Sequence, residues 1–380
     1  MNMLPYSDHH KTFRMQLREF LSSEVIPYVD QWESDHIVPK AVWKKMGRAG
    51  FLCTAVSKEY GGLGGDFLYS VIVIEEMVKT NHTGLMVQLH SDIVVPYLDS
   101  FGTESQKRKF LPGCVSGDIV MAVAMTEPDA GSDLASMRTS AEEEGDQVVI
   151  NGAKTFISNG INCDLVVLAA KDPAVDHPHK AVSLYLVENN TPGFKKGRQL
   201  LKMGMHSQDT AELFFTNCRI PREHLLGKKG QGFIQLMQKL QQERLVCSIW
   251  ALAIAETILE WTENYCRNNP GVGKPLAASQ AVQFALVEMM TETRIGRAFI
   301  HQLVIDHMHN KADATETSMA KYWISDMANR VANRCLCLVG DVASQESCPI
   351  VRMWRDIRVF SIFAGTNEIM KNIIAKAKAF

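Results

Sequence analysis

Residues 227–266 read GKKGQGFIQLMQKLQQERLVCSIWALAIAETILEWTENYC, and the segment from Phe233 to Cys266 within them has the pattern of one long helix. Leu236, Leu240, Cys247, Trp250 and Ile254 recur at intervals of three, four and seven, drawing an apolar stripe down one face. Glu243 falls on that stripe. A carboxylate on a buried face is costly unless it is paired, neutralised or used. Two readings follow from the spacing: an ion pair with Arg244 or another cation, or a general base whose pKa burial has raised toward neutrality.

On either side of this helix the pattern changes. Residues 1–118 read mainly helical. Phe13, Leu17, Phe20 and Leu21 form one 3.6-period stripe, and Trp43, Met46 and Phe51 mark a short helix. Beyond the glycine-rich break at 59–66, Leu68 to Val78 is strongly apolar, and Glu75 and Glu76 within it read as solvated or salt-bridged. Shorter helices are expected over 92–98 and 105–111. Residues 119–225 alternate with a period of two, giving strands at 119–125, 147–150, 165–169, 182–187 and 211–215. Asn-Gly pairs at 151–152 and 159–160 read as turns between them. Several short strands in about 100 residues argue a small barrel or sandwich. Helices return over residues 226–380, at 231–267, 276–309, 312–339 and 366–378. The fold class is therefore α+β: an N-terminal helical domain (1–118), a middle β-barrel domain (119–225) and a C-terminal helical bundle (226–380).

The 380 residues are 46% apolar and 22% charged, with a net charge of −2. Near-neutral balance leaves no electrostatic footprint for nucleic acid or an anionic membrane. No apolar run approaches the roughly 20 residues needed to span a bilayer. The start, MNMLPYSDHHKTF, has neither a signal-peptide core nor an Arg-rich transit pattern. Nine scattered cysteines without a CxxC pair indicate reduced thiols and no metal site, and the expected location is the cytoplasm.

Further segments carry chemistry. Met125-Thr126 to Gly131-Ser132 ends a strand in a polar turn whose N–H groups and hydroxyls suit a phosphate or a heterocycle edge. Phe156-Ile157-Ser158 puts an aromatic and a hydroxyl on a strand edge. Glu243-Arg244 and the terminal Phe363-Ala-Gly-Thr-Asn-Glu-Ile-Met370 follow in order.

In the order and spacing of these segments the chain resembles the acyl-CoA dehydrogenase family from end to end, most closely its long-chain and isovaleryl branch. The resemblance implies a C-terminal four-helix bundle and FAD bound between domains and across the subunit interface of a homotetramer or homodimer. It also implies α,β-dehydrogenation of an acyl thioester, with electron-transfer flavoprotein as acceptor. A base takes the α-proton and the β-hydride passes to flavin N5. Most of the family carries its base just before Gly-Thr in the C-terminal motif. That position here is Ala364, which cannot accept a proton. The long-chain and isovaleryl branch places the base before an Arg on the first C-terminal helix, which is Glu243.

Position by position, the resemblance assigns Met125, Thr126, Gly131 and Ser132 to flavin and pyrophosphate. Phe156 would stack on the isoalloxazine, with Ile157 and Ser158 beside it. Thr366, Asn367 and Glu368 would close over the cofactor, Cys337, Gly340 and Asp341 match a further cofactor-binding loop, and Gln280 would reach the cofactor of a neighbouring subunit. Ser132, His179, Lys180, Ile234, Gln241, Gln242, Arg244, Ala364 and Gly365 match thioester-contacting positions. The Ala364 N–H would polarise the thioester carbonyl, and small Ala364 and Gly365 would leave room for the acyl chain.

Four positions depart from the family pattern: Asn269 for an adenine-side Arg, Cys337 for Gln, and Asp341 and Asp129 for Gly. Added carboxylates and a lost cation imply looser FAD, by about 1 kcal/mol each where solvent screens them. They also leave open a substrate tethered to an acyl carrier protein in place of acyl-CoA, and a flavin-poor relative without catalysis.

Overall fold

A computed structural model describes residues 4–269 and 274–380. Its first third is helical: α1 (Asp8–Glu24), α2 (Val29–Asp35), α3 (Lys40–Arg48), α4 (Phe67–Val78), α5 (Val95–Phe101) and α6 (Glu104–Ser116). The side chain of Asp66 caps α4 by accepting from Leu68 N, and α4 is buried on nearly every face. Its two glutamates are salt-bridged, one of the two states that their sequence context allowed. Arg14 reaches Glu75 at 2.9 Å and Glu76 at 2.7 Å, and Arg18 reaches Glu76 at 2.6 Å. Ahead of α5 runs a π-helical turn, Leu89–Val94. Such turns concentrate at functional sites, and no period-3.6 pattern announces one.

The middle third forms one sheet of eight strands: β1 (Met121–Ala124), β2 (Ser140–Glu144), β3 (Gln147–Ile157), β4 (Leu165–Lys171), β5 (Val182–Glu188), β6 (Phe194–Gln199), β7 (Ala211–Pro221) and β8 (Leu225–Leu226). The order is β6-β7-β3-β2-β4-β5-β8, with β1 pairing parallel to β4. A short helical turn, α7 (Pro178–Ala181), precedes β5. One face of β1 to β7 feeds a single apolar cluster that includes Ala122, Ala141, Ile150, Leu168, Tyr185, Phe194 and Phe215, so the sheet curls into an open barrel around it. The opposite face of β4 and β5 (Leu165, Val167, Val182, Leu184, Leu186) joins the large helical core. These two strands are apolar on both faces for that reason.

Two expectations are corrected here. Strands β2 (SAEEE), β6 (FKKGRQ) and β8 carry too little apolar alternation to be read from sequence. Asn151-Gly152 is not a turn: β3 runs through it with a register shift against β7 between Ile150 and Gly152. Gly152 sits at φ 153°, and a Cβ there would lie 2.5 Å from Thr139 Oγ1 and 2.7 Å from Thr139 Cα. Gly152→Ala is therefore expected to destabilise the protein by about 2 kcal/mol, through backbone strain and overpacking. Denaturant unfolding would measure it.

The final third comprises α8 (Gly232–Asn268), α9 (Gln280–Met308), α10 (Ala314–Val339), α11 (Pro349–Ile357) and α12 (Asn367–Ala377). Helix α11 has no counterpart in the sequence reading. The predicted stripe on α8 is buried throughout, from Leu236 at 0% exposure to Leu240 at 7%. By length and hydropathy α8 passes for a membrane span, against the reading that no apolar run approaches that length. Yet 78% of its most apolar window is buried by the rest of the chain. On α9, Leu286, Met289 and Leu303 pack into the protein's own core. The apolar side chains left exposed are Phe284, Val287, Met290 and Ile295.

Candidate active site

Glu243, on α8, lies near Tyr97 of α5 and Lys321 of α10, close enough for the charges to be felt. The residue is half-buried, but its Oε2 is closed off from solvent and has no hydrogen-bond partner. Among the described residues no cation lies within ion-pair distance of it, so the paired reading of this carboxylate does not hold. Burial pushes its pKa up to about 7, opposed by the positive charges of Arg244 and Lys321. Arg244 is 93% shielded, and its Nε is likewise unpartnered. Across from Glu243, Tyr97 is wholly buried on α5 with an unpartnered hydroxyl. Burial, with the nearby Glu243 charge, raises that phenol well above its ordinary value.

The π-helical turn connects this region to the sheet. The main-chain oxygen of Asp92 accepts from Gln242 Nε2 at 2.6 Å, and His90 Nδ1 accepts from Met121 N at 3.1 Å. The Asp92 carboxyl accepts from Ser70 Oγ, and burial pushes it up to about 7.

At the end of β1, Thr126 O accepts from Thr155 N at 2.9 Å, which sets the Met125–Ser132 turn against Phe156. Phe156 has φ 57° and is 68% exposed, an unusual state for a large aromatic on a strand. Gly131 and Ser132 are exposed on the same turn, and Ser158 is half-buried. The Ile157 side chain is inside the barrel core, leaving only its main chain to a ligand. A buried ion pair that sequence reading missed supports the turn. Lys154 Nζ donates to Glu127 Oε1 at 2.8 Å and to Met125 O at 3.0 Å. Glu127 also accepts from Arg138 N at 2.6 Å and Thr139 N at 3.0 Å. Burial works to raise the Glu127 carboxyl, but Lys154 and these donors hold it below its ordinary value. Asp129 lies 3.2 Å from Arg138, which offsets the charge this departure adds beside the turn.

In the terminal motif Ala364 and Gly365 both take positive φ, 55° and 88°. Thr366 caps α12, accepting from Ile369 N. Among the described residues, the N–H groups of Ala364, Gly365 and Thr366 find no acceptor. Consecutive free N–H groups in such a turn form a concavity for a partial negative charge. The Asn367 amide is engaged with α10 through Lys321, Ser325 and Asp326, whereas Glu368 is exposed.

His179, Lys180, Ile234 and Gln241 share one cleft of about 580 Å³, with His177, Phe233 and Met237 in its walls. The His179 ring stacks on Phe233 at 4.1 Å and 11°. Gln241 is tied to Ala312 O, and Gln242 turns inward to the π-helical turn. Gln280, Cys337, Gly340 and Asp341 are all exposed, at the end of the α9–α10 hairpin beside the exposed apolar residues of α9. Asn269 closes α8, its N–H and its side-chain Nδ2 both donating to Tyr265 O.

Models of the acyl-CoA dehydrogenase N-terminal, middle and C-terminal domains match residues 7–118, 122–218 and 230–379. The chain is 43% identical over 372 residues to the mitochondrial long-chain specific acyl-CoA dehydrogenase of Rattus norvegicus, across 98% of this chain and 86% of that protein. Its fold superposes on the crystal structure of acyl-CoA dehydrogenase from Geobacillus kaustophilus with a TM-score of 0.97 at 48% identity, over 99% of both chains. A chain in the solved structure of the electron transferring flavoprotein of Acidaminococcus fermentans superposes with a TM-score of 0.93 at 31% identity, over 99% of both chains. This chain belongs to the acyl-CoA dehydrogenase family, a family of FAD-dependent flavoprotein oxidoreductases.

Proposed function

We propose that this protein oxidises an acyl-CoA thioester between Cα and Cβ, with Glu243 as the base that removes the α-proton. The observation that carries this reading is the orphaned Glu243 carboxylate, held near neutrality by burial and near Lys321, which is bonded to a turn with unpaired N–H groups. A base works best when its pKa lies near the working pH.

The residues present fit FAD. Phe156 offers a bare ring face, and the Met125–Ser132 turn offers main-chain donors and hydroxyls beside it. Bound FAD supplies the acceptor for the β-hydride. The chain supplies the rest. The Ala364 N–H stabilises negative charge on the thioester oxygen, and stabilisation of this kind contributes most when solvent is excluded. Burial of Glu243 favours its protonated product over the charged reactant, which helps the α-proton to leave. The cleft beside His179 and Lys180 suits the phosphates and ring of a nucleotide handle, which favours coenzyme A over a carrier protein. Electron-transfer flavoprotein is the acceptor that accords with this chemistry. The exposed apolar residues of α9, next to Gln280 and Asp341, are the surface on which a second copy would dock to complete the cofactor site.

Anaerobic mixing of FAD-loaded protein with acyl-CoAs, or with the same acyl groups on a carrier protein, tests the reading through loss of the flavin's visible absorbance. Bleaching by acyl-CoA is expected. Bleaching by the carrier-bound form alone would move the protein to a biosynthetic role, and bleaching by neither would refute the assignment. Because Glu243 must be ionised to act, kcat/KM should rise with pH and reach half its plateau near pH 7.

A further inference from the structure

Lys321 has the setting of a functional residue, although no motif marks it. It lies on the buried stripe of α10 with Ile324, Ala328 and Val331, and it is 1% exposed. Among the described residues no carboxylate lies within ion-pair distance. Its Nζ donates to Gly365 O at 2.6 Å and to Asn367 Oδ1 at 3.1 Å. Asn367 is fixed in turn, its Nδ2 donating to Asp326 Oδ1 at 2.8 Å and Ser325 Oγ at 2.9 Å. The whole network fastens the start of α12 to α10. Just before it lies Ala364, a non-glycine residue in the left-handed region, which persists only where the surroundings over-determine it. An unpaired buried ammonium is itself unfavourable. A neutral side chain would fill the space at lower cost, so stability alone does not account for it.

Resting on the assignment of Glu243 as base, we propose that Lys321 is a positioning residue: it clamps the Ala364–Gly365 turn in register with Glu243, so that carbonyl polarisation and α-proton removal are made by one rigid unit. Its charge acts on the same site, being one of the two cations that hold the Glu243 carboxyl down against burial. Burial brings Lys321 itself down to about 8.

The test uses the FAD-loaded full chain with Lys321→Met and with Lys321→Gln, which retains a hydrogen-bond donor but no charge. Two quantities are read. The first is the division of the effect between kcat and KM for an acyl-CoA. The second is the pH at which bound acetoacetyl-CoA, which ionises at Cα without being dehydrogenated, forms its enolate, followed by near-ultraviolet absorbance. For Lys321→Met, kcat should fall about 100-fold with KM within about threefold, and the ionisation pH should rise by about two. Lys321→Gln should lose about tenfold and one pH unit, a graded series. If Lys321→Met does not fold, Lys321→Gln carries the test. Values within about twofold of wild type in both measurements, whatever happens to thermal stability, would overturn the proposal. Glu243→Gln, run alongside, separates the failures. An active Glu243→Gln would sink the base assignment, whereas an inactive one beside a normal Lys321→Met would sink only the role of Lys321.

Discussion

Glu243→Gln is expected to lower kcat by about 10³–10⁴-fold while leaving FAD content and acyl-CoA affinity nearly unchanged. Glutamine matches glutamate in volume and removes only the proton acceptor. In the wild type Oε2 has no partner to lose, so the substitution breaks no hydrogen bond and strands no cation of an ion pair. Stability should even rise slightly at neutral pH. The folded state holds the proton on Glu243 more tightly than the unfolded chain does, so the wild type loses stability as pH rises from the ordinary glutamate pKa toward about 7. The glutamine variant does not titrate and escapes that loss. Flavin bleaching by acyl-CoA, with thermal unfolding followed at pH 5 and pH 8 as reference conditions, would check both halves. A variant that bleaches at the wild-type rate would require another base.

The second large effect concerns stability. Lys154→Met should destabilise the protein by about 3–5 kcal/mol, since it leaves Glu127 buried without its cation. The lysine side chain is fully shielded and the glutamate nearly so, which distinguishes this pair from the many exposed ones on the surface. Because Lys154 also holds Met125 O, FAD titration of the variant should show weaker binding at the adjoining turn. Adding Glu127→Gln removes the orphaned charge and should recover more than half of the lost stability. Denaturant unfolding of the two single variants and the double variant measures the coupling directly. A double variant as unstable as the sum of the singles would mean that the two residues act independently.

The buried carboxylate was legible because helical periodicity converts position into burial: the stripe through Leu236 and Ile254 placed Glu243 on a covered face before any contact was known. The same reasoning reaches Lys321, which interrupts the stripe of Ile324, Ala328 and Val331. Other features lay beyond one-dimensional pattern. Lys154 and Glu127 are 27 residues apart and meet only when the end of β3 comes against the turn after β1. Asp92 and Tyr97 sit on a π-helical turn and its continuation, where spacings of three and four no longer decide which side chains share a face. Strands β2 and β6 are largely polar, so alternation was too faint to reveal them. Gly152 resembled a turn residue because Asn-Gly usually is one, yet its lack of a side chain accommodates Thr139 instead.

Strands β4 and β5 face the barrel core on one side and the helical core on the other. The middle segment is therefore not a separable building block. Excised from the chain, it would present Leu165, Val167, Val182, Leu184 and Leu186 to water as a continuous oily strip, a surface that invites association. Removing the helices would likewise deprive them of one wall. The parts inherit their solubility from one another, so fragments and grafts that cut at the apparent boundaries would divide a core that belongs to both sides.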